Sequence, residues 1–245
     1  SGCTPLYIAA LNNHEDILST LITAGADINE ANDDGSTPFS IATKNWDKDI
    51  MVTLIAAGAD INQVNLDGLT PLHIAASYGD KDIASTLIAA GADINQQNKC
   101  GLTPLYTSAK NGHKDILSLL IAAGADINQP NKNGSTPLYT AAKNGHKDNV
   151  SILIAAGADI NQADKENSTP LCIAAENKHQ DIVSTLITAG ADILQADVDG
   201  STPLCIAARS GHEGIVSTLI AAGADINLPD KVQYYIRITN IIVLT

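Results

Sequence analysis

Five histidines, His14, His113, His146, His179 and His212, stand at one register position of a sequence that repeats itself. A ladder of imidazoles suggests a metal site, because zinc takes nitrogen ligands about 2 Å from the ion. Seven aspartates recur in the same manner, Asp27, Asp60, Asp93, Asp126, Asp159, Asp192 and Asp225. Carboxylates in such number suggest calcium ligation or a paired acid and base. The spacing argues against both. Equivalent positions lie 33 residues apart, a whole structural unit, so successive rings are too distant to share an ion and no two carboxylates form a dyad. The histidines read as turn residues and the aspartates as loop residues. The sequence contains no phosphate-binding glycine loop, nucleophile elbow or zinc-protease helix. No catalytic residue, metal ligand or cofactor is therefore assigned, and the chain is not expected to be an enzyme.

The four cysteines, Cys3, Cys100, Cys172 and Cys205, have neither metal nor redox spacing. Cys172 and Cys205 are equivalent residues of neighbouring units. Stacked helices sit about 8–10 Å apart, whereas a disulfide needs Cα atoms within roughly 7 Å. A reducing, cytoplasmic compartment is the simpler reading, and no secretory signal or apolar run of membrane-spanning length is present. Three glycosylation triplets begin at Asn133, Asn149 and Asn167; without a secretory signal they carry little weight.

The elements that position these residues follow from the repeat. Thr-Pro recurs at Thr4, Thr37, Thr70, Thr103, Thr136, Thr169 and Thr202, every 33 residues without a slip. Gly-Ala-Asp keeps the same register from Gly25 to Gly223. A fixed period of this length means stacked supersecondary units. The composition agrees, being 44% apolar but only 3% aromatic, which makes a thin core of Ala, Ile and Leu that suits close helix packing. In the unit 101–133, Thr103 is an N-cap and Pro104 the first helical residue, where a missing N–H costs nothing. A short helix runs to Lys110, and Asn111-Gly112 ends it. The second helix buries Ile116, Leu117, Leu120 and Ile121 and ends at Gly124, and a polar loop leads to the next Thr-Pro. Helices of about ten residues are marginal alone, so each unit needs its neighbours.

Gly-Leu-Thr-Pro-Leu-Tyr at 101–106, Asn-Gly-His-Lys-Asp-Ile at 111–116 and Leu-Ile-Ala-Ala-Gly-Ala-Asp-Ile-Asn at 120–128 resemble the ankyrin repeat. The resemblance covers residues 1–229 as seven units, the first truncated at its N-terminal hairpin. It implies an all-α, helix-turn-helix solenoid with short β-hairpin loops. It also implies protein binding through the hairpin tips and the concave face of the first helices. Some positions depart from the family. Only His73 keeps the histidine after Thr-Pro-Leu; Tyr7, Ser40, Tyr106, Tyr139, Cys172 and Cys205 replace it, so its turn hydrogen bonds are expected to be altered or absent in most units. Trp46 and Lys178 occupy the inter-helix glycine position and are expected to distort those turns. Asn149 replaces the first buried isoleucine of a second helix, an expected loss of about 1–3 kcal/mol if unpaired. Leu194 and Asn167 are smaller lapses.

Formal net charge is −13, but thirteen of the 27 acids are framework residues: the seven loop aspartates and Asp16, Asp49, Asp82, Asp115, Asp148 and Asp181 of the second helices. The recognition positions implied by the resemblance are locally basic from Lys99 to Lys165. Beside that strip lie Leu66, Leu69, Leu102 and Tyr78, an apolar group with an aromatic of the kind that anchors partners. The expected partner-binding residues are Leu66, Leu69, Tyr78, Lys99, Leu102, Lys110, Lys132 and Lys143. The expected partner is a protein or peptide, with no nucleic acid and no membrane span, and the array is read as a monomeric scaffold. Two further readings are the targeting segment of a larger enzyme, channel or effector, and a structural spacer.

The chain begins inside a unit at Ser1, as a fragment would. Residues 230–245 leave the repeat register and end in the apolar, β-prone run Ile241–Thr245. This tail reads either as a makeshift cap or as a foreign end.

Overall fold

The computed structural model describes residues 2–230; Ser1 and the tail from Lys231 onward, with the expectations for that tail, lie outside the described residues. The described residues form fourteen helices in pairs and no strand. The first helices are Pro5–Leu11 (α1), Pro38–Lys44 (α3), Pro71–Tyr78 (α5), Pro104–Asn111 (α7), Pro137–Lys143 (α9), Pro170–Glu176 (α11) and Pro203–Arg209 (α13). The second helices are Glu15–Thr23 (α2), Lys48–Ala56 (α4), Lys81–Ala89 (α6), Lys114–Ala122 (α8), Lys147–Ala155 (α10), Gln180–Thr188 (α12) and Glu213–Ala221 (α14).

The recurring residues account for these bounds. In every unit the Thr-Pro threonine hydroxyl accepts the N–H of the residue three positions on, at distances from 3.1 Å (Ser40) to 3.3 Å (His73). One orphan donor of each first helix is thereby satisfied. Each second helix ends on a glycine with a left-handed backbone, such as Gly91 at φ 92°, which brings the N–H of Ala92 to the Leu87 carbonyl at 3.0 Å.

The described residues divide into two compact units, 2–108 with 113–126, and 109–112 with 127–230. In the first, α1, α3 and α5 pack in sequence, their partners α2, α4 and α6 lie in a second layer, and α8 packs on α6 in that layer. In the second, α9, α11 and α13 form one layer and α10, α12 and α14 the other. The core lies between the layers. Second helices supply Ile50, Met51 and Leu54, or Ile116, Leu117 and Leu120, all fully buried, against first-helix alanines such as Ala42 and Ala76. Small alanine side chains let the helices approach closely.

The loops differ from the expected β-hairpins, because they reverse direction without strand pairing. Between Asn65 and Leu69 the Asn65 N–H donates to the Leu69 carbonyl at 3.1 Å and the Gly68 N–H to the Asn65 carbonyl at 2.9 Å. The Asn65 side-chain oxygen accepts from the N–H groups of Asp67 and Leu69 at 3.0 and 2.9 Å. A side chain thus takes the place of a second backbone rung.

The expected distortion at Trp46 and Lys178 is corrected as well. Both adopt the left-handed conformation of the glycine they replace, φ 60° and 65°. The turn survives, since Asp47 N–H reaches the Ala42 carbonyl and His179 N–H the Ala174 carbonyl, both at 3.0 Å. The strain sits in one residue rather than in the loop. Asn13, at φ 58°, shares this position.

Candidate functional site

The framework polar residues are spent on one another across repeats. In the first unit the Asp60, Asp93 and Asp126 N–H groups donate to the side-chain oxygens of Asn29, Asn62 and Asn95, at 2.8, 2.8 and 2.9 Å. In the second, Asp159 and Asp192 do the same with Asn128 and Asn161, at 2.9 and 2.8 Å. Asp60 in turn accepts the Asn62 N–H at 2.9 Å, so Asp and Asn alternate along the stack. Leu194 stands where the next asparagine of this ladder would be.

The ladder histidines are inter-repeat staples. His113 lies over Gly79 and donates Nε2–H to the Ser77 carbonyl at 3.0 Å. In the second unit His146 lies over Gly112 and His179 over Gly145, with Nε2 at 2.9 Å from the Lys110 carbonyl and 3.0 Å from that of Lys143. A Cβ on Gly79 would come within 2.7 Å of the His113 ring. Glycine is required there twice, for its positive φ and for the ring packed on it. Asn13 and Trp46 lack that space, and the equivalent residues of the following units are Asp47 and Asp80. Those aspartates cap their own helices, accepting from Ile50 at 3.1 Å and Ile83 at 2.9 Å. Where Lys178 fills the position, His212 uses Nδ1 instead, bonding to the Ala175 carbonyl at 2.9 Å. Residue 46 and residue 80 are therefore a matched pair. Trp46→Gly with Asp80→His should restore the staple. In a double-mutant cycle by urea unfolding, the two changes should couple favourably by about 1–2 kcal/mol. Strict additivity would contradict the match.

His73 holds a different contact. Its Nε2 lies 2.9 Å from the Leu102 carbonyl, so it carries the proton and donates. Its Nδ1 then accepts, from the Thr70 N–H at 3.2 Å and the Thr70 hydroxyl at 2.8 Å. Burial lowers the His73 pKa from the ordinary 6.5, against opposing contributions from the Leu102 hydrogen bond and Asp93. Because the folded pKa is depressed, the unfolded chain binds the extra proton first. The stability is complete above pH 6.5 and is lost as pH falls through the folded value. Acidification from neutral pH should lower the unfolding midpoint. His73→Tyr should flatten that fall, by at most about 1.4 kcal/mol per pH unit. Equal slopes in both proteins would show that His73 takes up its proton as readily in the fold as in the unfolded chain.

The substitutes for this histidine alter the contact rather than abolish it where their bonds are seen. Thr37 N–H donates to the Ser40 hydroxyl at 2.8 Å, and the Cys172 thiol meets the Gln195 carbonyl at 3.7 Å. At Tyr139, burial pushes the pKa up, with Ser168 and Asp164 of the following loop acting on it in lesser measure.

The expected binding residues fall into three groups. Leu66 and Lys99 are exposed on consecutive loops of the first unit. Those loops are joined by backbone bonds, from Leu66 N–H to the Asp34 carbonyl and from Lys99 N–H to the Asp67 carbonyl, both 3.1 Å. Leu69 and Leu102 lie at the feet of the same loops and are half-buried. Tyr78 is not with them. It ends the eight-residue helix α5, roughly 10 Å from the loop at its start. Its neighbour is Trp46, with ring centroids 6.0 Å apart and planes at 75°. Lys110, Lys132 and Lys143 are exposed on the second unit. The residue missed by sequence reasoning is Trp46, the one tryptophan of the chain. Its identity at a glycine position was the available signal. Of the glycosylation triplets, Asn149 is fully buried and inaccessible as an acceptor.

The second unit also has an open groove lined by Lys147, Ser151, Ile154, Asp181, Ser184 and Thr185, with Lys147 Nζ 3.4 Å from Asp181. No helix of the described residues is long and apolar enough to cross a membrane.

Paired helices, a threonine cap, a glycine-ended second helix and loops bonded to the next loop define a helical repeat protein. The family model described as Ankyrin repeats (3 copies) matches residues 6–98, 72–164 and 156–230, and the chain belongs to the ankyrin repeat family. Ankyrin repeats are protein–protein interaction modules, and the family is typically non-catalytic. No curated protein matches the chain.

Proposed function

We propose that this array binds a protein or peptide partner through its loop tips and the exposed ends of its first helices, with Leu66 and Lys99 in the first unit and Lys110, Lys132 and Lys143 in the second. Leu69 and Leu102 support the loop tips from their half-buried positions, and Tyr78 contributes from the end of α5. One observation carries this reading. The recurring loop Asp and Asn bond to one another and the recurring His113 bonds to the backbone of the preceding repeat, whereas the variable side chains of Leu66, Lys99, Lys110, Lys132 and Lys143 are exposed. A loop tip fixed to its neighbours by backbone bonds is ordered before it meets a partner, which lowers the ordering cost of binding.

The test is affinity capture followed by a titration with the captured partner. Leu66→Ser with Lys99→Glu should weaken binding roughly tenfold or more while the urea midpoint stays near that of the parent. A partner that binds this double variant as tightly as the parent would remove the first-unit loop tips from the interface. A protein that captures no partner beyond those found on an array with scrambled tips would favour the spacer reading instead.

A further inference from the structure

Trp46 is poorly suited to folding. Bulky residues with positive φ are outliers, and Trp46 has a φ of 60° where the next unit has Gly79 and the preceding one Asn13. The tryptophan stands where the Gly79–His113 staple has its glycine, and residue 80, in the histidine's place, is an aspartate. Trp46 is 55% exposed, so burial does not offset the strain. Strain kept at an exposed aromatic points to recognition. Tyr78, 50% exposed, stands edge-to-face with it, so about half of each residue of the pair is open to solvent.

The surrounding charge identifies what would sit there. Residues 1–98 hold thirteen acids against three lysines, a net −10 out of the chain's −13. In the sequence flanking the pair, Asp47, Asp49, Asp80 and Asp82 outnumber Lys44, Lys48 and Lys81 by one. Such a field attracts cationic partners and repels polyanions. Aromatic faces bind cations, and the planar, weakly hydrated guanidinium stacks on them better than an ammonium does.

We propose that Trp46 and Tyr78 form an aromatic anchor for an arginine-bearing basic segment of a partner protein. The anchor rests on the interaction reading above and names the chemistry of one contact within it. It is separate from the Leu66–Lys99 loop tips.

The single tryptophan makes the site its own reporter. Octa-arginine titrated at low salt should change Trp46 fluorescence saturably, octa-lysine should bind more weakly, and octa-glutamate should leave the signal unchanged. Tyr78→Phe should bind octa-arginine like the parent, whereas Tyr78→Leu should lose roughly three- to fivefold in affinity. The aromatic ring, rather than apolar area, is then the requirement. No saturable change with octa-arginine would overturn the anchor, as would equal binding by Tyr78→Leu. A signal that follows protein concentration alone would also overturn it, by showing that a second copy of the chain covers the pair. A captured partner whose affinity survives Tyr78→Leu but falls with Leu66→Ser and Lys99→Glu would sink the anchor and leave the interaction reading standing.

Discussion

Gly68→Ala is expected to destabilise the protein by about 2–4 kcal/mol, read as a lower urea midpoint at unchanged m. Two effects add at this position. Gly68 has φ 76°, which an alanine adopts only at a cost of roughly 1–2 kcal/mol. A Cβ there would also lie 2.8 Å from the Lys99 backbone N of the next loop. Backbone cannot rotate away as a flexible side chain would, so one loop must shift and strain its bond from Lys99 N–H to the Asp67 carbonyl. Gly91→Ala is the control. Its φ is 92°, but a Cβ there meets nothing within 4 Å. Gly91→Ala should therefore lose only the conformational part, and Gly68→Ala should exceed it by about 1–2 kcal/mol. Equal losses would mean that the approach between loops constrains nothing. The same shift moves Leu66 and Lys99 relative to each other, so Gly68→Ala should also weaken binding of a loop-tip partner.

Asn149→Ile should raise stability by about 1–2 kcal/mol. Asn149 is fully buried at the start of α10, where other units place Ile50, Ile83, Ile116, Ile182 or Ile215. Its side chain donates to the Ala109 carbonyl at 3.3 Å, which answers part of the expected penalty for burying an amide there. Isoleucine forfeits that bond but buries a larger apolar side chain, worth roughly 1.5–3 kcal/mol. The carbonyl need not be stranded. At the equivalent place in the next repeat, with Ile182 in position, the Ala142 carbonyl receives the Gly145 N–H at 3.4 Å. Thermal and urea midpoints should both rise, and Asn149→Ala should fall below the parent. A drop in the isoleucine variant would show that the Ala109 bond outweighs the apolar contact.

Legibility followed the range of each interaction. The Thr-Pro cap, the first and second helices and the glycine that ends each pair were readable because each operates within a few residues of chain. Thr103 reaches only as far as Tyr106, and Gly91 acts on the turn it occupies. The burial of Asn149 was readable for the same reason, since its helix face is set by local periodicity. The loops were less so. A reversal looks alike in sequence whether backbone rungs or an Asn65 side chain close it. Tyr78 was grouped with Leu66 because both vary between units, although a whole helix separates them along the unit.

The sequence by itself determined the period, the helix pairs and the division between recurring framework residues and variable ones. It could do so because repetition displays what every unit needs. The tertiary structure alone decided which residues meet across units. His113 joins residue 77 at a separation of 36, and Asp126 joins Asn95 at 31. Neither separation is the 33 of the repeat, because these contacts depend on how one pair of helices leans on the next. The same lean brings Tyr78 to Trp46, and so turns an apparent lapse at a glycine position into an exposed aromatic pair.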